Sequence, residues 1–472
     1  MSISTAFNSA LSGLTAASRA SSLISDNIAN ALTPGYARRS LELVGDPLGN
    51  GVLVAGIRRH SDPVLVANRR EADAALGHAE TMERFHTRLE RVTGTVGDAG
   101  SLVGRVSALE SRLIEAASLP GSVLRLDAVV TAASDLASGL NDAAAEVQRA
   151  RSDADREIAR QVDRLGTLLG DVDRMNGKIP ALRSTGGDVS ALLDSRQALI
   201  DEINRIVPVN EVPRGRDGVA LYTDGGAILL DDKPAELSFE QTGLVVAHMT
   251  VGNGLLGSVE INGVPVAMRA FEGGSLAAQF ALRDRLGPEA HGDLDALARD
   301  LIERFQAPNL DPSLGPTDPG LFTEAGGRLT EEAGLAGRIA LNEVVEGESW
   351  RLRSGLGAAV PGPPGEANLL KAFASALGAA REQTDTRLGS AALTSAELAS
   401  AVMSRAGQQA HEAQQALTRA STEQSEMQRL ELEQGVDTDA ELQTLMRVEQ
   451  VYGANARLLE TLEKMMDQLL RI

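Results

Sequence analysis

Residues 445–470 read LMRVEQVYGANARLLETLEKMMDQLL, in which Leu445, Val448, Tyr452, Asn455, Leu459, Leu462, Met466 and Leu469 step by three and four. That spacing lines one face of a helix for a partner helix, as in a coiled-coil seam. Residues 3–28, ISTAFNSALSGLTAASRASSLISDNI, carry the same pattern at the other end through Ile3, Phe7, Ala10, Leu14, Ala17, Ser21, Ile24 and Ile28. At 1.5 Å per residue each helix extends about 40 Å. Amphipathic stripes are more often ordinary core than interface, but chain ends fray unless something holds them. Two long seams placed at the two ends therefore expect partners, either each other or another subunit, and function lies in assembly.

Working outward, 472 residues exceed one compact core and imply two to four domains. Apolar residues make up 43% of the chain and aromatics only 3%, so the cores are built from Ala, Leu and Val, which suits closely packed helices. With 45 Lys plus Arg against 65 Asp plus Glu, the net charge of −20 repels a phosphate backbone, and nucleic acid is not an expected partner. The absence of cysteine excludes disulfides and thiolate metal sites and lets the chain pass between reducing and oxidising compartments unchanged. No apolar run approaches the roughly 20 residues that span a bilayer, so no membrane insertion is expected. Nor does the N-terminus read as a secretory signal: its first basic residue is Arg19, and Asn8, Ser9 and Ser12 interrupt the apolar positions. Export would use a route without a cleaved signal peptide.

Past Ile28, Asn30 can end the helix, Thr33 is pushed into an extended conformation by the following proline, and Pro34-Gly35 reads as the centre of a type II turn before Tyr36. Leu41 and Leu43, then Val52, Val54 and Ile57, read as strand on either side of Gly49-Asn50-Gly51. Asp62-Pro63 opens the next helix, an N-cap followed by proline at the first helical position, with a seam through Met82, Phe85, Leu89, Val92 and Val96. Further helices carry Leu102 to Leu113, Leu126 to Val147, and a long one Ile158 to Ile179 before Pro180, together antiparallel rods joined by short turns. From Val207 to about Phe271, β-branched residues and the pairs Asp217-Gly218, Asp224-Gly225 and Asn262-Gly263 mark hairpins of a small inserted β domain. Helix returns over Gly274 to Phe305, loops follow at Pro308–Gly320 and Pro361–Gly365, and a last helical region runs from Asn368 nearly to the end. The fold class is mainly α with a β insertion: paired terminal coiled-coil helices, a long-helix bundle middle domain and a small inserted β domain.

Chemistry is sparse. Gly252, Gly254 and Gly257 have the glycine spacing of a dinucleotide fingerprint, but strand and an Asn262-Gly263 hairpin follow instead of a helix N-terminus, so a β-turn is expected. The histidines, His60, His78, His86, His248, His291 and His411, lack the spacing of a helical metal site, and Asp311–Gly320 lacks the terminal glutamate of a calcium loop. No nucleophile with a base is apparent, and no catalytic, cofactor or metal residue is expected.

The segment Asn27-Ile28-Ala29-Asn30, then Thr33-Pro34-Gly35-Tyr36 and Arg38, resembles the N-terminal signature of bacterial flagellar axial proteins. Val436-Asp437, Gln450, Tyr452, Ala454-Asn455-Ala456, Met465, Leu469 and Leu470 are similar to their C-terminal signature. Within that group, Gly49-Asn50-Gly51-Val52 with Val54, Gly56-Ile57 and Arg59 resembles the hook-associated protein 1 family of the hook–filament junction. So do Gly273-Gly274-Ser275-Leu276 with Arg283-Asp284 and Leu286, and Gly334 to Ala340, while the β insert matches only loosely and is short for the family. The resemblance implies a non-enzymatic structural subunit, exported unfolded by the flagellar type III apparatus to an extracellular position. It implies a ring of copies between hook protein and the next hook-associated junction protein, and a cytoplasmic export chaperone on the C-terminal helix. It also implies an inner domain from 1–33 and 431–472, a helical middle domain from 34–205 and 271–430, and an outer β domain at 206–270. Another axial component, hook or rod, is a second reading; an extracellular ligand-binding module on a helical stalk is a third.

Overall fold

The chain opens with α1 (Ile3–Ala29), followed by an antiparallel hairpin of β1 (Arg39–Gly45) and β2 (Val52–Arg59). Next come α2 (Pro63–Thr93), α3 (Leu102–Ser118), α4 (Val123–Ser184) and α5 (Ser190–Ile206). The computed structural model describes residues 3–33, 35–47, 51–95, 97–329, 333–382, 386–388 and 391–470. Pro34, Gly49, Asn50 and Val96 lie outside the described residues, as does the side chain of Leu469.

Local chemistry sets the helix starts. Asp62 Oδ1 accepts from the Val64 and Leu65 amides at 2.9 and 3.3 Å with Pro63 in the first turn, and Ser101 accepts from Gly104 at 3.1 Å. The two helices expected over Leu126–Val147 and Ile158–Ile179 are one, α4, of 62 residues and roughly 90 Å. Arg151 and Asp155 interrupt its apolar stripe in the sequence, yet both are fully buried in the structure and keep the stripe continuous. Pro180 lies inside α4, one turn before its end.

The β region forms two small antiparallel sheets: β3 (Val209–Arg214), β4 (Gly218–Thr223) and β5 (Ile228–Leu230), then β6 (Leu237–Ser238), β7 (Glu260–Ile261) and β8 (Val264–Pro265). Asn262 and Gly263 turn β7 into β8 with φ of 52° and 76°, both positive as a type I′ turn requires. Residues 252–257 are turns leading to strand, as the sequence predicts. Between β6 and β7 a strap crosses α4, held by buried arginines. Arg151 donates to the carbonyls of Val246, Ala247 and Met249 at 3.2, 3.3 and 2.6 Å, and Arg283 to that of Gly257 at 2.8 Å. Arg283 also pairs with Asp155 at 2.6 Å, while Asp155 accepts from the Thr242 amide at 2.7 Å.

After the strap come α6 (Gly274–Ala281), a π turn over Leu282–Leu286 and α7 (Gly287–Phe305). Then follow β9 (Phe322–Glu324), β10 (Ile339–Leu341), α8 (Arg351–Ser354), α9 (Asn368–Gly378), α10 (Ser395–Glu433) and α11 (Thr438–Leu470). A capping box starts α10, with Thr394 and Glu397 each bonding the other's backbone amide. Along α2, α10 runs antiparallel, bringing Glu90 beside Gly407 and Gln424 to within 3.0 Å of Asp73.

One apolar core joins α2, α3, the first half of α4, α7, α9 and the start of α10, around Leu109, Leu136, Leu301, Phe305 and Phe373. A second joins the rest of α4 to α5, α6 and β3–β5, around Leu165, Ile203, Leu221 and Phe271. The β region thus shares its core with helices. Neither core contains a residue of α1, β1, β2 or α11. Among the described residues no helix is long and apolar enough to cross a membrane.

Candidate assembly interface at the chain ends

The helices α1 and α11 pack against each other, antiparallel, with Gly13 opposite Asn455 and Asn27 opposite Glu441. The facing stripe of α1 is small, including Ala10, Gly13 and Ala17, so the two backbones approach closely. A Cβ on Gly13 would sit 2.8 Å from Asn455 Nδ2, which itself donates to the Val451 carbonyl at 3.1 Å. Of the residues expected in the seams, Ile24 and Leu462 are buried, and Ile3, Leu14, Ile28, Leu445, Val448, Asn455 and Leu459 half-buried. Phe7, Tyr452 and Met466 are 40%, 48% and 50% exposed and flank the contact. Leu11, Val451, Leu458 and Met465 are exposed as well, so pairing the two ends still leaves large apolar side chains facing outward.

Where α1 ends, the signature residues form a polar knot. The Asn27 amide nitrogen donates to the Arg39 carbonyl at 2.8 Å and to Glu441 Oε2 at 3.2 Å; its oxygen accepts from the Tyr36 hydroxyl at 2.9 Å and the Arg39 amide at 3.0 Å. Glu441 Oε1 in turn receives Arg38 Nε at 2.6 Å. Burial raises the Tyr36 phenol above its ordinary value, with the nearby Arg39 guanidinium opposing. The turn that presents Tyr36 closes with its amide on the Thr33 carbonyl at 3.1 Å and Gly35 at φ 78°, and Thr33 Oγ1 donates to Asn30 at 3.3 Å. Gly51, at φ 111°, docks the hairpin tip on α1: a Cβ there would lie 2.1 Å from Ser12 Oγ, which accepts from the Val52 amide at 3.1 Å.

The joint to the body is also polar. Arg39 and Arg59 of the hairpin grip the two oxygens of Asp194 on α5, each at 2.6 Å. On α2, the Arg69 guanidinium meets Asp73 and Asp201 at 2.6 Å and Glu431, near the end of α10, at 2.5 Å. Such buried pairs add little net stability, but breaking one strands a charge, so they fix geometry. Sequence reading missed Glu441 and Asp194. Glu441 did carry a signal: it lies four residues before Leu445, on the seam, where a carboxylate requires a partner. Among the described residues no group of three His, Asp or Glu could hold a metal ion.

A family model described as the flagellar hook-associated protein FlgK helical domain matches residues 87–309, from the end of α2 past α7. A second, for flagella basal body rod protein, matches residues 7–36, the stretch from α1 to Tyr36. Flagellar hook-associated protein 1 of Salmonella typhimurium is 26% identical over 220 residues, 44% of this chain and 39% of that protein. Over the matched residues the chain is similar to the flagellar hook-associated protein 1 family. Also similar are the Flagellar hook-associated protein 1 of Escherichia coli, 23% identical over 321 residues (64% of this chain, 56% of that one), and that of Bacillus subtilis, 22% over 368 (70% and 72%). The chain thus spans about two fifths of the length of the Salmonella relative it matches. The flagellar hook junction protein FlgK of Burkholderia pseudomallei aligns with a TM-score of 0.47 at 17% identity, covering 55% of this chain and 47% of that one.

Proposed function

We propose that this chain is a structural, non-catalytic subunit of the bacterial flagellum, forming the ring of copies that joins hook to filament. The observation that carries this reading, beside the similarity to that family, is the closed pair α1–α11. It lies outside both apolar cores and turns Phe7, Leu11, Val451, Leu458 and Met465 outward. Burying such side chains against neighbours contributes about 25 cal/mol per Å², which offsets the cost of ordering the ends. The neighbours are other copies, hook protein and the next hook-associated junction protein. Before export, without a cleaved signal peptide, a cytoplasmic chaperone holds the C-terminal helix. In this reading 1–33 with 431–472 is the inner domain, 34–205 with 271–430 the middle domain, and 206–270 the inserted outer β domain.

Complementing a strain deleted for the gene tests the reading by electron microscopy. The deletion should give hooks without filaments, restored by this chain and not by Leu459→Asp with Leu462→Asp; filaments on the deletion strain would overturn it. Hydrogen exchange supplies a second check. Strong protection of residues 3–28 and 445–470 in the dilute monomer would contradict coupled ordering.

A further inference from the structure

The strap over α4 has two anchored ends and an apex between them. At the ends, Phe239 packs over the Arg283 guanidinium at 5.5 Å, the Thr242 amide bonds Asp155 at 2.7 Å, and the Gly257 carbonyl accepts from Arg283 at 2.8 Å. The apex, residues 244–256, is held by Arg151 through the carbonyls of Val246, Ala247 and Met249, and by Gln148 through that of Val245. Val245 and Leu256 are buried, yet no residue of 240–257 belongs to either apolar core. Polar bonds therefore hold the apex down, and opening it costs less than unfolding the helices beneath.

His291 of α7, only 6% exposed, lies close to the apex. Gly334 separates the two: a Cβ there would stand 2.9 Å from Ala247 Cβ, 3.0 Å from an Arg338 nitrogen and 3.9 Å from His291 Nε2. Among the described residues the charges that face the ring are Arg151 from α4, Arg338 from the loop between β9 and β10, and Asp295 one turn on in α7. Glu324 of β9 pairs with Arg338 at 2.7 Å, and both Asp295 oxygens accept from amides, those of Gly334 and Ala336, each at 2.7 Å. The one titratable side chain of the apex itself, His248, is exposed. His291 Nδ1 is buried without a hydrogen-bond partner. A proton there creates an N–H with no acceptor and adds a third positive charge near Arg151 and Arg338. Burial accordingly holds the ring below its ordinary value of 6.5, with Asp295 opposing and the two arginines adding to the effect.

We propose that His291 is the latch of an acid-released strap: when its ring takes a proton, residues 244–256 lift off α4 while both ends of the strap stay anchored at Arg283 and Asp155. Lifting lets water reach the imidazolium and supplies the acceptor that the closed state lacks. It also uncovers Val245, Leu256 and the Arg151 guanidinium, so acid turns a closed surface into an apolar, positively charged one. The switch belongs to the body of the chain and is independent of the flagellar reading given to its ends.

Hydrogen exchange on the full-length chain at pH 7.5, 6.5 and 5.5, corrected for the intrinsic rate at each pH, tests this. Protection of the apex amides should fall severalfold toward pH 5.5, at most about tenfold for each pH unit below 6.5. The Thr242 amide, bonded to Asp155, should keep its protection over the same range. His291→Gln, which keeps a neutral polar side chain, should abolish the fall, and His248→Gln should leave it intact. A parent-only measurement covers the case in which the His291 variant does not fold: in histidine-labelled protein, the His291 ring should take up its proton over the same pH interval in which apex protection falls. Apex protection independent of pH, an equal fall at Thr242, a fall that survives His291→Gln or vanishes in His248→Gln, or a ring that titrates outside that interval overturns the proposal.

Discussion

Asn27 Nδ2 donates to Glu441 Oε2 across 3.2 Å, joining residues 414 positions apart in the chain. The same Asn side chain satisfies the Tyr36 hydroxyl and both backbone groups of Arg39, so helix α1, the turn, the hairpin and α11 converge on it. Replacing it with Ala leaves these groups without partners, at about 1–3 kcal/mol for each that stays dry. Because the knot lies outside both cores, the loss is local. In the assembled state, Asn27→Ala should speed proteolysis between residues 30 and 62 severalfold while the main thermal transition of the body moves by less than about 2 °C. Glu441→Gln should do the same more weakly, since Arg38 is 37% exposed and can turn to water.

The Gly13–Asn455 contact fixes register, and its energetics can be separated. Alanine is a better helix former than glycine by about 1 kcal/mol, but at residue 13 its Cβ would meet Asn455 at 2.8 Å. Gly13→Ala alone should therefore lose most of that gain, whereas Gly13→Ala with Asn455→Ala should recover it. The coupling expected from a double-mutant cycle is about 1 kcal/mol or more, read as protection of α1 and α11 amides in the assembled state. An additive cycle would mean that the notch does not set register.

Both terminal helices, the hairpin and the start of α2 were legible because their signals are local: seam spacing, an Asp-Pro cap, a Pro-Gly turn. The continuity of α4 was not, since Arg151 and Asp155 look like surface charges until the strap over residues 239–257 brings them carbonyl and amide partners. Seam spacing also could not say which apolar residues the pair itself would bury. Small residues on α1 draw the helices together and push Phe7, Tyr452 and Met466 to the flanks. The knot needed Tyr36, Arg38 and Glu441 in one place, and only the fold supplies that.

Arg151 is the position where the strap should be most sensitive. It is fully buried, and its hydrogen bonds all end on main-chain carbonyls, including that of Arg283 at 2.9 Å. Arg151→Ala removes partners from four carbonyls and opens a cavity beside Gly287, whose missing Cβ makes room for the Arg151 stem at 2.5 Å. A loss of about 3–5 kcal/mol is expected, as for other broken buried polar networks. Hydrogen exchange should show it first over residues 242–257, with α11 unchanged. Loss confined to the chain ends would contradict the assignment of this arginine to the strap.

Acid should weaken the body through its buried histidines. Burial holds His86 and His291 below the ordinary value of 6.5; Arg285 pushes the same way on the first, while Asp295 opposes on the second. In the unfolded chain both take up a proton near pH 6.5, whereas in the folded chain they do so only at lower pH. Between the two values the unfolded state binds more protons, so stability rises with pH there. Their contribution is fully present above the unfolded value and is lost as the pH falls from about 6.5 toward the folded values, by at most about 1.4 kcal/mol per pH unit for each histidine. Urea unfolding at pH 7.5, 6.5 and 5.5 should show falling stability, and His86→Gln or His291→Gln should each flatten the slope. A slope unaffected by both substitutions would overturn the assignment of the acid sensitivity to these two histidines.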